Sequence, residues 1–207
     1  MRTKHRPATC FFAVVGLPFQ TPMQTSTFTM PNQFDKQDEK AIKISSKQKG
    51  DIAENRVAEI ITLGSKGQLT CYTPNSDDDG IDLVVNPKGT IEPLFMQIKS
   101  RFGLQKGRFV QNVGKTTFNS NPYFYLLFIY FSQDSLEVEK LWLVPSMDFE
   151  TVAYDKSAGK NYKSFYRISA GIKSQKDKWA GYSIDKAELG SSLQSLIKKL
   201  YQRRRVK

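Results

Sequence analysis

Residues 80–101 constrain the fold of this chain more than any other segment. Two apolar runs flank a turn over residues 86–89 that contains proline and glycine, a pattern typical of a β-hairpin. Because side chains alternate along a strand, Gln97 and Lys99 share one face of the second run. Asp82 interrupts the first run in the same way. Polar groups inside an apolar hairpin cost free energy unless they pair or bind a ligand, so the hairpin predicts a polar site in the sheet.

The rest of the chain predicts an α/β fold with a mixed sheet. Residues 102–120 are rich in glycine, lysine and polar residues and indicate a basic loop or a weak helix, and residues 154–178 are basic with scattered aromatic residues. The order of elements predicts a central mixed sheet flanked by helices. Periodicity and turn residues predict these elements: a helix over 45–63, a strand over 68–73, a central strand over 123–131 buried on both faces, a strand over 141–145, a short helical turn over 147–152 and an amphipathic helix over 185–201.

The ends of the chain differ in composition from the predicted single domain, which spans residues 47–201. We expect residues 1–46 to be a poorly ordered extension and residues 202–207 to be a short basic tail. The basic start and short apolar run resemble a secretory signal, but glycine and proline interrupt the run and no small-residue cleavage site follows. A disordered tail, or translated sequence upstream of a start at Met30, is the alternative. No segment reaches transmembrane length, so no membrane partner is expected.

The charge balance indicates a polyanionic partner. The 207 residues carry a net charge of +11, and the pI is about 9.6. Nucleic acid is the simplest partner for such a chain, although anionic membrane surfaces also attract basic proteins. The length fits one domain with a substantial core.

The few cysteine and histidine residues limit the chemistry. Cys10 and Cys71 show no CxxC spacing, which excludes a cysteine-based zinc site and a disulfide framework and fits a reducing, cytoplasmic setting. The single histidine, His5, lies in the N-terminal extension, so histidine catalysis and histidine metal ligation are not expected. A metal ion would therefore be held by oxygen ligands, which hard cations such as Mg²⁺ prefer.

A glutamate on the first predicted helix offers a carboxylate outside the hairpin. On a helical wheel, Glu54 falls between Val57 and Ile61 on one side and Ala58 on the other. It therefore points into the buried arc of a helix that would pack against the sheet. A boundary glutamate that reaches solvent or pairs with a lysine is the alternative.

These side chains suit the hydrolysis of a phosphodiester, which needs an activated water, a Lewis acid and stabilisation of negative charge. A metal held by carboxylates supplies the first two, and a lysine supplies the third or positions the water. Asp82 and Glu54 are the candidate carboxylates and Lys99 is the candidate lysine. The Gln97 amide oxygen and the Ile98 backbone carbonyl are candidate neutral ligands. Taken singly, each residue has another interpretation. Asp82 also fits an aspartate that caps a turn, Lys99 fits a lysine on an edge strand, and Gln97 fits a core amide whose hydrogen bonds are satisfied.

Three short motifs carry a family resemblance. They are Gly50-Asp51-Ile52-Ala53-Glu54, Asp79-Gly80-Ile81-Asp82-Leu83 and Gln97-Ile98-Lys99. Over residues 48–131 the chain resembles the PD-(D/E)xK nuclease superfamily, in the form of restriction-endonuclease-like and Holliday-junction-resolvase-like domains. The resemblance implies a core of order αβββαβ, a metal-binding aspartate at Asp82, a lysine at Lys99 and a helical glutamate at Glu54. Gln97 stands where an acid is usual; this Q-x-K form occurs in the superfamily, but the lost charge weakens metal affinity.

These observations predict a Mg²⁺-dependent endonuclease acting on DNA, with Mn²⁺ as a substitute metal. Cutting both strands of a duplex would favour a homodimer. The rival interpretations are a catalytically inactive nucleic-acid-binding module on the same fold and a basic protein-interaction domain. The predicted phosphate contacts, which a solvated basic loop would explain equally well, are Arg101, Lys106, Arg108 and Lys115.

Overall fold

The computed structural model describes residues 44–76, 79–132, 134–159 and 163–205. Nearly all of the expected N-terminal extension, including its signal-like start, lies outside these ranges. The described helices are α1 (Ser46–Gly64), α2 (Ser146–Val152) and α3 (Leu189–Arg205). The described strands are β1 (Leu69–Tyr72), β2 (Leu83–Pro87), β3 (Leu94–Arg101), β4 (Arg108–Gly114), β5 (Phe124–Phe131), β6 (Val138–Pro145), β7 (Tyr154–Lys156), β8 (Phe165–Gly171) and β9 (Ser183–Ile184).

Helix α1 begins where the sequence predicts it. Ser45 is the N-cap, and it forms a capping box in which its hydroxyl accepts from the Gln48 N–H while the Gln48 side chain accepts from the Ser45 N–H. Ala53, Val57 and Ile61 form its buried stripe, as a helical spacing requires. The predicted helix over residues 45–63 is therefore confirmed.

The central sheet has the strand order β1-β2-β3-β5-β6-β9 within the described residues. Strands β3 and β5 are parallel, whereas the other neighbouring pairs are antiparallel, so the sheet is mixed. Every residue of β5 is buried, which confirms a central strand covered on both faces. Leu127 and Ile129 face a core shared with α1 and α3, and Leu126 and Phe128 face a second core. The predicted α/β fold with a mixed sheet and flanking helices is confirmed.

A second sheet, of order β4-β8-β7, covers the other face of the central sheet. The expectation of a loop or weak helix over residues 102–120 was wrong, because β4 lies there. Phe109 and Val113 are both fully buried and fall on one face of a strand. β4 also takes the place of the middle helix in the expected αβββαβ order, between the parallel strands β3 and β5.

Helix α3 is displaced by one turn from its predicted position over residues 185–201. Asp185 accepts a hydrogen bond from the Ala187 N–H at 2.8 Å, and this turn delays the helix to Leu189. The helix then continues to Arg205, so residues 202–205 of the predicted basic tail are helical. None of the helices in the described ranges is long and apolar enough to cross a membrane.

The Cys71 thiol on β1 provides a test of the packing between the sheet and α1. Burial raises the pKa of this thiol to about 11. In a Cys10→Ser background we therefore expect Cys71 at pH 8 to react with a disulfide reagent about a hundredfold more slowly in the native than in the urea-unfolded protein, because the thiolate is the nucleophile. The unfolded thiol also loses its proton first as pH rises, so this group lowers the free energy of unfolding between about pH 9 and 11. Equal reaction rates in the two states would contradict the burial.

Candidate active site

A cavity of about 990 Å³ lies between the N-terminal half of α1 and the β2–β3 hairpin. It is walled by residues of α1, the segment before β2, the end of β3 and one residue of β4. Three of the residues predicted to act together, Glu54, Asp82 and Lys99, line it. The other charged lining residues are Lys47, Lys49, Asp51 and Arg101. The cavity thus combines carboxylates with an excess of cations.

Asp82 lies at the entrance to β2 rather than inside the strand, one residue before Leu83. Its backbone N–H donates to the Met96 carbonyl at 2.9 Å, which continues the β2–β3 ladder by one bond. The Asp82 Oδ2 atom accepts from the Ile98 N–H at 2.6 Å. The side chain is 9% exposed. This carboxylate is therefore fixed in position by the backbone of the neighbouring strand.

Lys99 approaches the same oxygen. Its Nζ lies 4.0 Å from Asp82 Oδ2, and its side chain is 29% exposed. Lys99 points to this site because β3 is extended and its side chains alternate. A carboxylate can hold a divalent cation and an ammonium can stabilise negative charge on a phosphate, and both groups lie at this wall of the cavity.

Glu54 reaches the cavity from α1. It follows the buried Ala53 and is half-buried, as the helical wheel predicts. Its Oε1 lies 3.8 Å from the position that a Cβ atom would occupy if residue 50 were not glycine. The side chain therefore extends back along the helix toward the cavity. Ile52, an apolar residue of the same helix, is 45% exposed.

Gln97 occupies a more enclosed position than its predicted partners. It is 2% exposed and is not among the described residues that line the cavity. Its Oε1 is buried and accepts no hydrogen bond from the described residues, which costs about 1–3 kcal/mol. The metal roles of Gln97 and of the Ile98 carbonyl stay predictions.

A close approach of the chain holds Gln97 in this position. Gly80 has a φ of 66°, and a Cβ there would lie 2.8 Å from Gln97 Nε2 and 2.4 Å from the Thr117 carbonyl oxygen. Only glycine fits this contact and this backbone conformation. Within the described ranges no cluster of three His, Cys, Asp or Glu side chains is arranged to hold a metal ion.

The predicted phosphate contacts divide into two groups. Arg101 lines the cavity and donates from Nε to the Val110 carbonyl at 3.0 Å. Arg108 is instead paired with Asp177 at 2.6 Å, and Lys115 with Asp155 at 2.5 Å. The hydrogen bond to Asp155 raises the pKa of Lys115.

Lys106, the fourth predicted contact, lies in the tight turn between β3 and β4, with a φ of 49°. Arg101 is therefore the one of the four that lines this cavity.

The sequence reasoning missed several residues that line the cavity, among them Lys47, Lys49, Asp51 and Gln111. Lys47 and Lys49 belong to the first turn of α1, and their position just after the predicted N-cap was a usable signal. Gln111 belongs to β4, and its segment had been interpreted as loop or weak helix. Asp79, which belongs to one of the three short motifs, lines a different cavity with Phe95 and Tyr123.

Comparison with solved structures finds a likeness to a nuclease. This chain is similar to a bacterial homing endonuclease, I-Ssp6803I, with 21% sequence identity and a TM-score of 0.48; the match covers 77% of this chain and 97% of that one. No family model matches the sequence. No curated protein matches it either.

Proposed function

We propose that the protein is a metal-dependent endonuclease that hydrolyses phosphodiester bonds in DNA at this cavity. The observation that carries the proposal is the pairing of Asp82 with Lys99 at the wall of a cavity that Glu54 also lines. These residue types are also those of the PD-(D/E)xK signature that the sequence resembles. The net charge of +11 favours a polyanionic substrate.

The donor set fits a hard divalent cation. Glu54 and Asp82 supply carboxylate oxygens to the cavity, and the unpartnered Gln97 Oε1 is a neutral oxygen in the adjoining interior. Mg²⁺ and Mn²⁺ prefer such ligands. In this proposal Glu54 and Asp82 hold the metal and Gln97 assists. When bound, the metal acts as a Lewis acid on the phosphate and lowers the pKa of a bound water.

The chain's own residues would then bind and orient the substrate. Lys99 stabilises the negative charge that develops on the phosphate oxygens, while its contact with Asp82 keeps the ammonium at the wall. A water oxygen bonds to phosphorus while one P–O ester bond breaks; the water releases one proton to solvent, and the leaving oxygen takes up one proton from solvent. Lys47, Lys49 and Arg101 provide backbone phosphate contacts around the site. A homodimer would present two such cavities to the two strands of a duplex.

Cleavage assays on plasmid and branched DNA test this proposal. We expect nicking or cutting with Mg²⁺ or Mn²⁺, complete loss with EDTA, and weaker binding as salt rises, because phosphate contacts release counterions. DNA of every form left intact with both metals at low salt would mean that the protein is not a nuclease.

A second candidate is a nucleic-acid-binding module whose catalytic site has decayed. It is favoured by the buried Gln97 in the place of an acid and by the lack of a three-carboxylate cluster in the described residues. In this case, DNA binding persists without cleavage and is unaffected by Mg²⁺. A Gln97→Glu variant that gains Mg²⁺-dependent cleavage, set against an inactive natural protein, would establish the decayed site.

A further inference from the structure

The inner face of the second sheet carries one amide where its neighbours are apolar. Phe109 and Val113, two residues away on either side of Gln111, are fully buried, and so is Ile168, its partner across the β4–β8 ladder. Side chains two apart share a strand face, so Gln111 points toward the central sheet with them. Unlike these apolar neighbours, Gln111 is only partly buried.

Gln111 lines the active-site cavity. Its Oε1 is buried and has no hydrogen-bond partner among the described residues, and the residue lines the same cavity as Asp82, Glu54 and Lys99. A buried acceptor without a protein partner is completed by a bound water or another donor. Gln111 is therefore a polar group from the second sheet that faces the site built by the first.

A cross-sheet hydrogen bond sets the position of this amide. Arg101 Nε donates to the carbonyl of Val110 at 3.0 Å. Val110 directly precedes Gln111, and Arg101 follows Lys99 by two residues on β3. This bond ties the backbone that carries the amide to the strand that carries the lysine, as a pre-organised site requires.

We infer that Gln111 positions the attacking water of the proposed hydrolysis, by accepting a hydrogen bond from that water through Oε1. The inference rests on the proposed function. A glutamine amide is too weak a base to take the proton, but it orients a water for attack on phosphorus, as in other phosphoryl-transfer sites. In this arrangement Lys99 stabilises the negative charge on the phosphate and Gln111 orients the attacking water. The two sheets thus contribute different parts of one site.

Three variants test the inference. Gln111→Leu removes the acceptor while keeping an apolar side chain of similar length, Gln111→Glu keeps an acceptor oxygen, and Gln105→Leu is the matched control in the exposed β3–β4 turn. For each, single-turnover cleavage, DNA affinity in Ca²⁺ and the melting temperature are measured. We expect Gln111→Leu to cleave about a hundredfold more slowly with unchanged DNA affinity and an equal or higher melting temperature, because an unsatisfied buried amide is removed. Gln111→Glu should retain most of the rate, and Gln105→Leu should match the wild type.

The outcomes separate this inference from the proposed function. If Asp82→Asn is inactive while Gln111→Leu cleaves at the wild-type rate, the role of Gln111 is wrong and the nuclease assignment stands. A lower melting temperature in Gln111→Leu, with a rate that falls only with the folded fraction, would make Gln111 a packing residue. Equal losses in the Leu and Glu variants would also contradict an acceptor role. A wild-type protein that cleaves no DNA would overturn both proposals.

Discussion

Replacing Asp82 with asparagine is expected to lower the rate of DNA cleavage by about a thousandfold or more, since it removes a charged ligand of the proposed metal in a site with few carboxylates. The fold should survive, because asparagine keeps an acceptor for the Ile98 N–H, which donates to Asp82 at 2.6 Å. Losing the partly exposed contact with Lys99 costs about 1 kcal/mol or less. Single-turnover cleavage, together with circular dichroism and a melting curve, measures both effects.

The matched control is Asp134→Asn. Asp134 is an exposed aspartate in the connection between β5 and β6, and its variant should cleave like the wild type. Lys99→Ala should lose activity as Asp82→Asn does, because the charge on the phosphate oxygens is then uncompensated. Unchanged activity in both site variants would place the chemistry elsewhere on the molecule.

Gly190→Ala is expected to destabilise the protein by about 3 kcal/mol. At this position α3 crosses the end of α1, and a Cβ would lie 2.3 Å from the Ser65 nitrogen and 2.4 Å from the Gly64 carbonyl carbon. Both are backbone atoms, so relief requires the two helices to separate. Overpacking of this kind costs about 1–3 kcal/mol and sometimes more, and here it would loosen the helix that carries Glu54. Urea unfolding with a constant m-value measures the change.

Gly50→Ala is the control for this prediction. Gly50 also lies in a helix, but the nearest atom to its added Cβ is Glu54 Oε1 at 3.8 Å, an ordinary contact. Alanine is preferred over glycine inside helices by about 1 kcal/mol, so this variant should be at least as stable as the wild type. A Gly190→Ala protein as stable as Gly50→Ala would mean that the α1–α3 contact is looser than described.

The elements that sequence reasoning predicted correctly have strong local signals. Helix α1 is marked by its capping box and its helical spacing of apolar residues, and β5 by an unbroken apolar run. Sequence reasoning missed strand β4. Its buried apolar residues Phe109 and Val113 follow the alternation of a strand, but the polar Gln111 stands between them on the same face. The alternation of apolar and polar residues therefore fails at a position that borders the candidate site, as is common at functional residues.

The candidate site was predictable only where its residues follow a local pattern. Asp82 and Lys99, which are in contact, belong to a hairpin that its turn residues and strand pattern predict, and Glu54 follows from helical periodicity. The burial of Gln97 depends on Thr117, twenty residues further along, pressing against Gly80. The contribution of Gln111 depends on packing between two sheets. Neither contact has a signature in the residues adjacent to it in the sequence.

The most direct test of the account is the position of a bound divalent cation. Crystals soaked with Mn²⁺ would be examined by anomalous diffraction, with an Asp82→Asn crystal as the control. The account predicts an anomalous peak in the cavity, within about 2.5 Å of oxygens of Asp82 and Glu54, which is lost or strongly reduced in the variant. A protein that cleaves DNA while its Mn²⁺ binds away from Asp82 and Glu54, or that binds no Mn²⁺ at all, would contradict the proposed metal-dependent site.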